Sequence, residues 1–176
     1  MKLHLGCGRK RIEGFIGVDI QKSNNPDVVA DIRDLRCFDD GSVDTIYACH
    51  VLEHVYRSDC LGVLRSWYKL LKPQGILRLA VPDFESVVKL YMQGVKLSVL
   101  IGNFYPKNVS PENTHYYTWD FDSLQEDLQT VGFNNVHRYN WRDTEHADLD
   151  DYSQAYYPHM DKENGVLRSL NVEATK

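Results

Sequence analysis

Short apolar runs, each closing on a polar residue, dominate the first fifty positions of the chain. Leu3 and Leu5 lead into Gly6-Cys7-Gly8, so residues 1–5 read as a buried strand running into a tight turn. Phe15 to Ile20 is a second run, Asp27 to Ile32 a third and Val43 to Cys49 a fourth. Runs this short predict parallel strands whose C-terminal ends form one rim.

Helical periodicity comes later. Ser58 is placed as an N-cap, and Leu61, Leu64, Tyr68 and Leu71 form an apolar stripe behind it. Lys72-Pro73-Gln74-Gly75 stops that helix. Ile76 to Val81 is a fifth strand, closed by Pro82-Asp83, and Phe84 to Gln93 reads as helix ended by Gly94. Residues 95–101 are apolar without a clear period, and 102–121 are patternless and rich in aromatics. Asp122 is placed to cap another helix, with Gln125 for a capping box, an inner face of Leu124, Leu128 and Val131, and Gly132 as its stop. Val136 to Trp141 makes a sixth strand and Val166 to Ala174 a seventh. Residues 142–165 between them carry no convincing helix and are too long for a hairpin. The class is α/β with a mainly parallel sheet and a late strand running antiparallel.

Composition narrows the picture. A chain of 176 residues with 43% apolar side chains fills one core, so one domain over 1–176 is expected. No apolar run approaches the ~20 residues of a membrane helix. The N-terminus shows no apolar signal region, so a cytoplasmic protein is expected. A net charge of −5 argues against nucleic acid as partner. Arg9-Lys10-Arg11 is the exception, readable as a solvated turn or as an anion contact behind the glycines. Cys7, Cys37, Cys49 and Cys60 include no C-x-x-C pair and read as reduced thiols.

Chemistry concentrates at the strand ends. Two glycines let a backbone turn sharply and approach a ligand closely, although an ordinary turn has the same signature. A dinucleotide site would want a third glycine where Arg11 stands, and an acid ~20 residues on. Asp19 comes earlier, and a carboxylate there can take both hydroxyls of a ribose. Asp31-Ile32 is placed to bond an adenine amino group and cover its ring. His50-Val51-Leu52-Glu53-His54 spells H-x-x-E-H, the inverted zinc-peptidase signature. It begins at a strand end with no third ligand helix behind it, so no metal is expected. His54 then packs at a helix start, or His50 faces the reaction centre.

Taken together, the stretches LHLGCG, GVDI, VADIRDL, FDDGSVDTIYACHVLEHV, LLKPQGILRLAVPD and SLNVEATK resemble the class I S-adenosylmethionine-dependent methyltransferases, closest to their small type-11-like branch. The resemblance runs from Lys2 to Lys176. It implies a Rossmann-like sheet of seven strands in the order 3-2-1-4-5-7-6, with strand 7 antiparallel. It implies S-adenosylmethionine as cofactor. Gly6, Cys7 and Gly8 would wrap its methionine part, and Asp19 would take the ribose hydroxyls beside Ile20. Asp31 and Ile32 would hold the adenine, and Cys49 and His50 would line the sulfonium end. The chain departs from the family where Gly8 to Phe15 leaves room for barely one helical turn, and where residues 33–42 are loop-like. This is a minimal version with shortened first crossovers.

Methyl transfer to an alcohol needs alignment, exclusion of water and a base. His50, Asp83 and His115 are the candidate catalytic residues at the rim. Asp83 is equally a helix N-cap, and His115 equally a bonded loop histidine. The 142–165 loop carries Asp143, Glu145, Asp148, Asp150 and Asp151 with Tyr152, Tyr156 and Tyr157, a set that suits a polyol, a divalent ion or a solvated lid. The expected activity is O-methylation of a saccharide or other small hydroxyl acceptor. The alternatives are a catalytically idle cofactor-binding partner and a nicotinamide enzyme. Short crossovers leave one sheet face thinly covered. Either the termini or the 95–121 segment cover it, or a homodimer does, and the dimer is the expectation.

Overall fold

A computed structural model describes residues 1–106 and 113–176. The strands of the main sheet are β1 (Lys2–Leu5), β2 (Phe15–Asp19), β3 (Val28–Val29), β4 (Val43–Cys49), β5 (Leu71–Pro82), β6 (Asn134–Arg138) and β9 (Ser169–Thr175). The helices are α1 (Cys60–Leu70), α2 (Phe84–Met92), α3 (Leu97–Leu100) and α4 (Phe121–Val131). A separate ribbon pairs β7 (Tyr156–Tyr157) with β8 (Val166–Leu167). The seven-stranded order is β3-β2-β1-β4-β5-β9-β6, with β9 antiparallel to both neighbours. That is the expected order and the expected reversed strand.

Register sorts the side chains onto two faces. Leu3 pairs with Ile46, Leu5 with Ala48, and these with Leu77 and Leu79. Ala174 and Val172 complete the same face. All eight side chains are buried, against Leu64 and Trp67 of α1 and Leu124 and Leu128 of α4. Each fully buried leucine contributes about 2 kcal/mol from area alone. Trp67 also donates its indole N–H to Ile32 O at 2.9 Å.

The opposite face is built of His4, Phe15, Tyr47, Arg78 and Glu173. No helix covers it. Residues 141–154 do, as two short 3-10 turns and the chain between them. Tyr47 stacks on His146 with centroids 4.0 Å apart and donates its hydroxyl to Asp151 Oδ2 at 2.6 Å. Arg78 donates to Glu145 Oε2 at 2.7 Å and to Glu173 Oε2 at 2.8 Å. Asn171 donates to Ser153 O at 2.8 Å. Ile12, Phe15 and Tyr47 form an apolar cluster with Cys49 and Leu149 against them. The expected motive for a homodimer therefore disappears. The face is covered by the chain itself, though not by its termini or residues 95–121.

Element ends differ from expectation in several places: Leu71 to Gly75, expected as the end of a helix and its stop, already belong to β5, which pairs Leu71 with Val43, and of the expected 27–32 strand only Val28–Val29 forms. The residue before α1 is Asp59, which makes no side-chain cap bond, because Ser58 bonds Asp59 instead. Asp120 rather than Asp122 caps α4, with Ser123 as its box partner at 3.0 and 3.2 Å. Phe121 packs on the core and draws the helix start back, and Gln125 bonds Val136 O. Strand β6 ends at Arg138, because Trp141 turns inward with the covering segment. Val166–Leu167 leaves the main sheet to pair with Tyr156–Tyr157. The unassigned 95–101 stretch contains α3, whose Leu100 packs with Val87 and Leu90 of α2.

The covered polar face makes stability depend on pH in two windows. Burial pushes His4 down to about 4 from 6.5, against the pull of Asp151. A folded-state value below the unfolded one gives stability that is present above pH 6.5 and lost as pH falls through about 4. At 1.36 kcal/mol per unit this is about 3 kcal/mol. For Glu145, burial pushes the carboxyl up, but bonds from Arg78 and Lys2 prevail and hold it at about 2. Its contribution is present above 4.5 and lost as pH falls toward 2. Thermal melts across pH 7 to 2 should show Tm falling through both windows. His4→Phe should flatten the upper one and Arg78→Met the lower.

Candidate cofactor and acceptor site

The C-terminal ends of β1, β2 and β4 open onto a cavity of about 420 Å³. Gly6, Gly8, Asp19, Ile20, Asp31, Ile32 and His50 all line it. Gly6 has φ +62°, and a Cβ there would sit 1.9 Å from a methyl of Val51, so only glycine fits. Gly8 has φ +53° with open space before it, which leaves its backbone free for close approach. Buried Asp19 accepts from Gly8 N at 2.8 Å, Gln21 N at 2.7 Å and Asn24 Nδ2 at 3.1 Å. A carboxylate has about four acceptor sites, so Asp19 both ties the turn and keeps capacity for a ligand.

Arg11 is exposed, as a solvated turn residue would be, but its guanidinium is engaged by the turn itself. Its guanidinium donates to Gly8 O at 3.1 Å, Lys10 O at 2.7 Å and Asn24 O at 3.0 Å, and also to Asn25 O. It pins the glycine turn to the loop after β2. No helix follows the glycines, so the amide-rich helix start that holds a pyrophosphate is missing. That weighs against the nicotinamide alternative.

Two expected cofactor residues lie elsewhere. Cys7 is buried under the turn, its N–H spent on Val18 O and its thiol against Arg11. Cys49 points to the polar face and packs against the Tyr47 cluster. Period-two alternation explains both, since their neighbours Gly6, Gly8 and His50 face the cavity and they do not. Asp31 is at the rim, but its carboxylate is held by Arg33 at 2.5 to 3.0 Å, which keeps it below the usual range.

His50 follows β4 with φ +52°, a conformation non-glycine residues rarely adopt. Its N–H bonds Ala80 O at 2.8 Å. Its ring sits between the first cavity and a second of about 110 Å³, lined also by Pro82, Asn103, His115, Tyr152 and Arg168. Nδ1 lies 3.2 Å from Glu53 Oε1, and Nε2 lies 3.2 Å from Ser169 Oγ. Burial works to raise the fully buried Glu53, but His50 and His54 outweigh it and hold the carboxyl below its usual value. His115 bonds Asn103 O at 2.8 Å, and burial lowers its pKa. The H-x-x-E-H sequence is not a helical face. Leu52–His54 is a 3-10 turn, with His50 directed to Ser169 and His54 to Thr114 O at 3.1 Å.

Asp83 is drawn away from catalysis. Its carboxylate caps α2 through Glu85 N at 3.0 Å and Ser86 N at 3.4 Å, and it pairs with Arg138 at 3.3 Å. It lines neither cavity. The loop acids are similarly engaged. Glu145, Asp151 and Asp143 bond Arg78, Tyr47 and Asn140, and Asp150 pairs with Lys162. Of the loop aromatics, Tyr152 stays 67% exposed, with its ring 5.2 Å from that of His50.

Comparison with known proteins places this geometry. A family model described as a methyltransferase domain matches residues 3–79, the stretch that holds the glycine turn, Asp19 and His50. The chain matches a methyltransferase domain over that stretch and has the fold of the S-adenosylmethionine-dependent methyltransferases. Similar solved structures share the fold across 99% of this methyltransferase. One is a SAM-dependent methyltransferase from Archaeoglobus fulgidus, 20% identical over 85% of that chain, TM-score 0.65. Another comes from the complex between the Haloferax volcanii Trm112 methyltransferase activator and a methyltransferase, 17% identical over 80% of that chain, TM-score 0.60. A third is the Burkholderia thailandensis 1,6-didemethyltoxoflavin-N1-methyltransferase with bound S-adenosylhomocysteine, 14% identical over 70% of that chain, TM-score 0.57. No curated protein matches the sequence.

The methyltransferase cavity fits S-adenosylmethionine in size and in donor chemistry. It lies in the range for drug-sized ligands. Asp19 offers a carboxylate to hydroxyls, and Ile20, 46% exposed, offers an apolar flank to a ring. Sequence reasoning missed Tyr56 and Tyr116, which meet at 4.2 Å on the cavity wall, and also Gln21, Asn24 and Val55. These sit on loops and turns without periodicity, and nothing in the residue pattern points to them. No helix among the described residues is long and apolar enough to cross a membrane.

Two substitutions test the cradle. Asp19→Ala should weaken S-adenosylhomocysteine binding by about 2–3 kcal/mol, read by titration calorimetry. Arg11→Ala touches no ligand but frees the turn, and should cost about 1 kcal/mol of the same affinity.

Proposed function

We propose that the chain works as one domain in the cytoplasm and O-methylates a small hydroxyl acceptor, a saccharide or similar polyol. The observation that carries the reading is His50, whose ring stands between the cofactor cavity and the smaller second cavity. S-adenosylmethionine supplies an electrophilic methyl on a sulfonium. With that cofactor bound, the His50 imidazole would take the proton of the acceptor hydroxyl as its oxygen accepts the methyl. Glu53 Oε1 stands 3.2 Å from Nδ1, where its charge favours the imidazolium that forms as the ring takes a proton. Ser169 and Asn171, bonded to each other at 2.8 Å, keep the ring from turning.

The second cavity supports a polyol better than the 142–165 acids do. Tyr152 offers an exposed ring face for a sugar. Asn103 and Arg168 offer polar groups, and Arg168 Nε has no partner among the described residues. The volume of about 110 Å³ suits part of one sugar ring.

Methyl-labelled S-adenosylmethionine, offered with saccharides, phenols and amines, tests the acceptor class. Label should appear in an alkali-stable methyl ether of a polyol. Label confined to nitrogen would overturn the proposal. His50→Ala should lower kcat by about 10²–10⁴-fold, with S-adenosylhomocysteine affinity changed far less.

A further inference from the structure

Glu53 is fully buried, and neither of its carboxylate oxygens accepts an aligned hydrogen bond. His50 stands at 3.2 Å from Oε1 but off alignment. Leaving a buried carboxylate in that state costs several kcal/mol unless something else meets it. Besides His50, two further imidazoles face it. His115 Nε2 is 4.0 Å from Glu53 Oε1, and the rings of His54 and His115 lie 5.0 Å apart.

The tautomers of both rings are set from behind. His54 Nδ1 bonds Thr114 O at 3.1 Å, and His115 Nδ1 bonds Asn103 O at 2.8 Å. A carbonyl only accepts, so each Nδ1 carries the proton and each neutral ring presents a bare Nε2 lone pair. Three electron-pair donors then face one another with no proton between them. Backbone carbonyls behind the distal nitrogens are also how metal-binding histidines are oriented. One donor atom from each of Glu53, His54 and His115 lies within 4.8 Å of the other two. Metal–ligand bonds of about 2.0–2.2 Å would draw them together by roughly 1 Å.

We propose that Glu53, His54 and His115 bind a divalent first-row transition metal, zinc foremost. Two imidazoles and one carboxylate leave coordination positions open, the arrangement of a reactive rather than a structural site. His115 also lines the second cavity, so an open position meets an acceptor hydroxyl there. The metal lowers the pKa of that hydroxyl and holds its oxygen, and the proton still goes to His50. This last role rests on the O-methylation reading, whereas metal binding does not. It reverses the metal-free expectation for H-x-x-E-H, which turned on the lack of a third ligand helix. The third ligand comes instead from the loop before α4.

Cobalt(II) is the probe. The chelator-treated full chain, carrying Cys37→Ser because Cys37 is an exposed thiol, is titrated by visible absorption and calorimetry. One equivalent should bind, with ligand-field bands, and zinc should displace it. Glu53→Gln and His115→Ala should each weaken binding about 100-fold or more, while S-adenosylhomocysteine affinity reports the fold. His115 lies on a loop outside the cofactor cavity, so it carries the test if the buried Glu53 variant does not fold. The absence of saturable cobalt binding means an imidazolium–carboxylate pair only and overturns the site. Binding unchanged in His115→Ala overturns it equally. Because the titration needs no acceptor, a failed O-methylation assay leaves its outcome standing.

Discussion

A parallel sheet has two faces to take out of water, and the shortened crossovers of this chain supply helices for only one. That constraint shapes the rest of the molecule. Residues 9–14 and 33–42 form no helices, so the strands carry apolar side chains on one face and a mixed set on the other. The second face is closed by residues 141–154, and the closure joins apolar contact to charge. The Ile12, Phe15, Tyr47 and Leu149 contacts provide the driving force, and a stacked pair such as Tyr47 with His146 adds roughly 1 kcal/mol beyond area. Arg78, with a side chain 10% exposed between two glutamates, does less for net stability because desolvation opposes the attraction. Its consequence is register. A slip of the covering segment would leave a buried guanidinium without its partners.

The same closure explains which parts of the fold the sequence made legible. The strands were readable because each is short, apolar and bounded, and their order came with the family resemblance. Helix interiors were readable from period 3.6. Caps were not, since Ser58, Asp59, Asp120 and Asp122 are all chemically eligible, and packing of Phe121 decides between the last two. The covering segment was illegible for a deeper reason. It reaches its buried position through Asp151, Glu145, Gln154 and Ser153, residue types that read as solvated loop. Their partners on the strands are far away in sequence.

The site divides along the same line. The glycine turn and Asp19 were visible because backbone freedom and a carboxylate at a strand end have few other uses in combination. The side chains of Cys7 and Cys49 turn away from the cavity, because a motif says which segment meets a ligand and the local backbone decides which side chains do. The turn itself is held by Arg11, which occupies the position where a dinucleotide fold has glycine. A long side chain reaching back to four carbonyls does the work that a first helix would do in a fuller version of the fold. The Glu53, His54 and His115 cluster needed a contact between the turn after β4 and the loop before α4, which no local pattern encodes.

His50 shows how closely stability and chemistry are joined here. A left-handed backbone at a non-glycine residue costs of order 1–3 kcal/mol and persists only where surroundings over-determine it. At His50 those surroundings are the N–H bond to Ala80 O, the buried Glu53 on one side of the ring and Ser169 on the other. Each comes from an element fixed for another reason. Ala80 lies near the C-terminal end of β5, Ser169 at the start of the antiparallel strand, and Glu53 in the turn that begins the route to α1. Glycine would relax the backbone at this position but remove the ring that stands between the two cavities. The strain is therefore carried by the sheet, and the sheet is closed by the polar segment on its far face. A cover of ordinary helices would bury the sheet as well, but it would not bring Tyr152, at the end of that segment, beside the His50 ring.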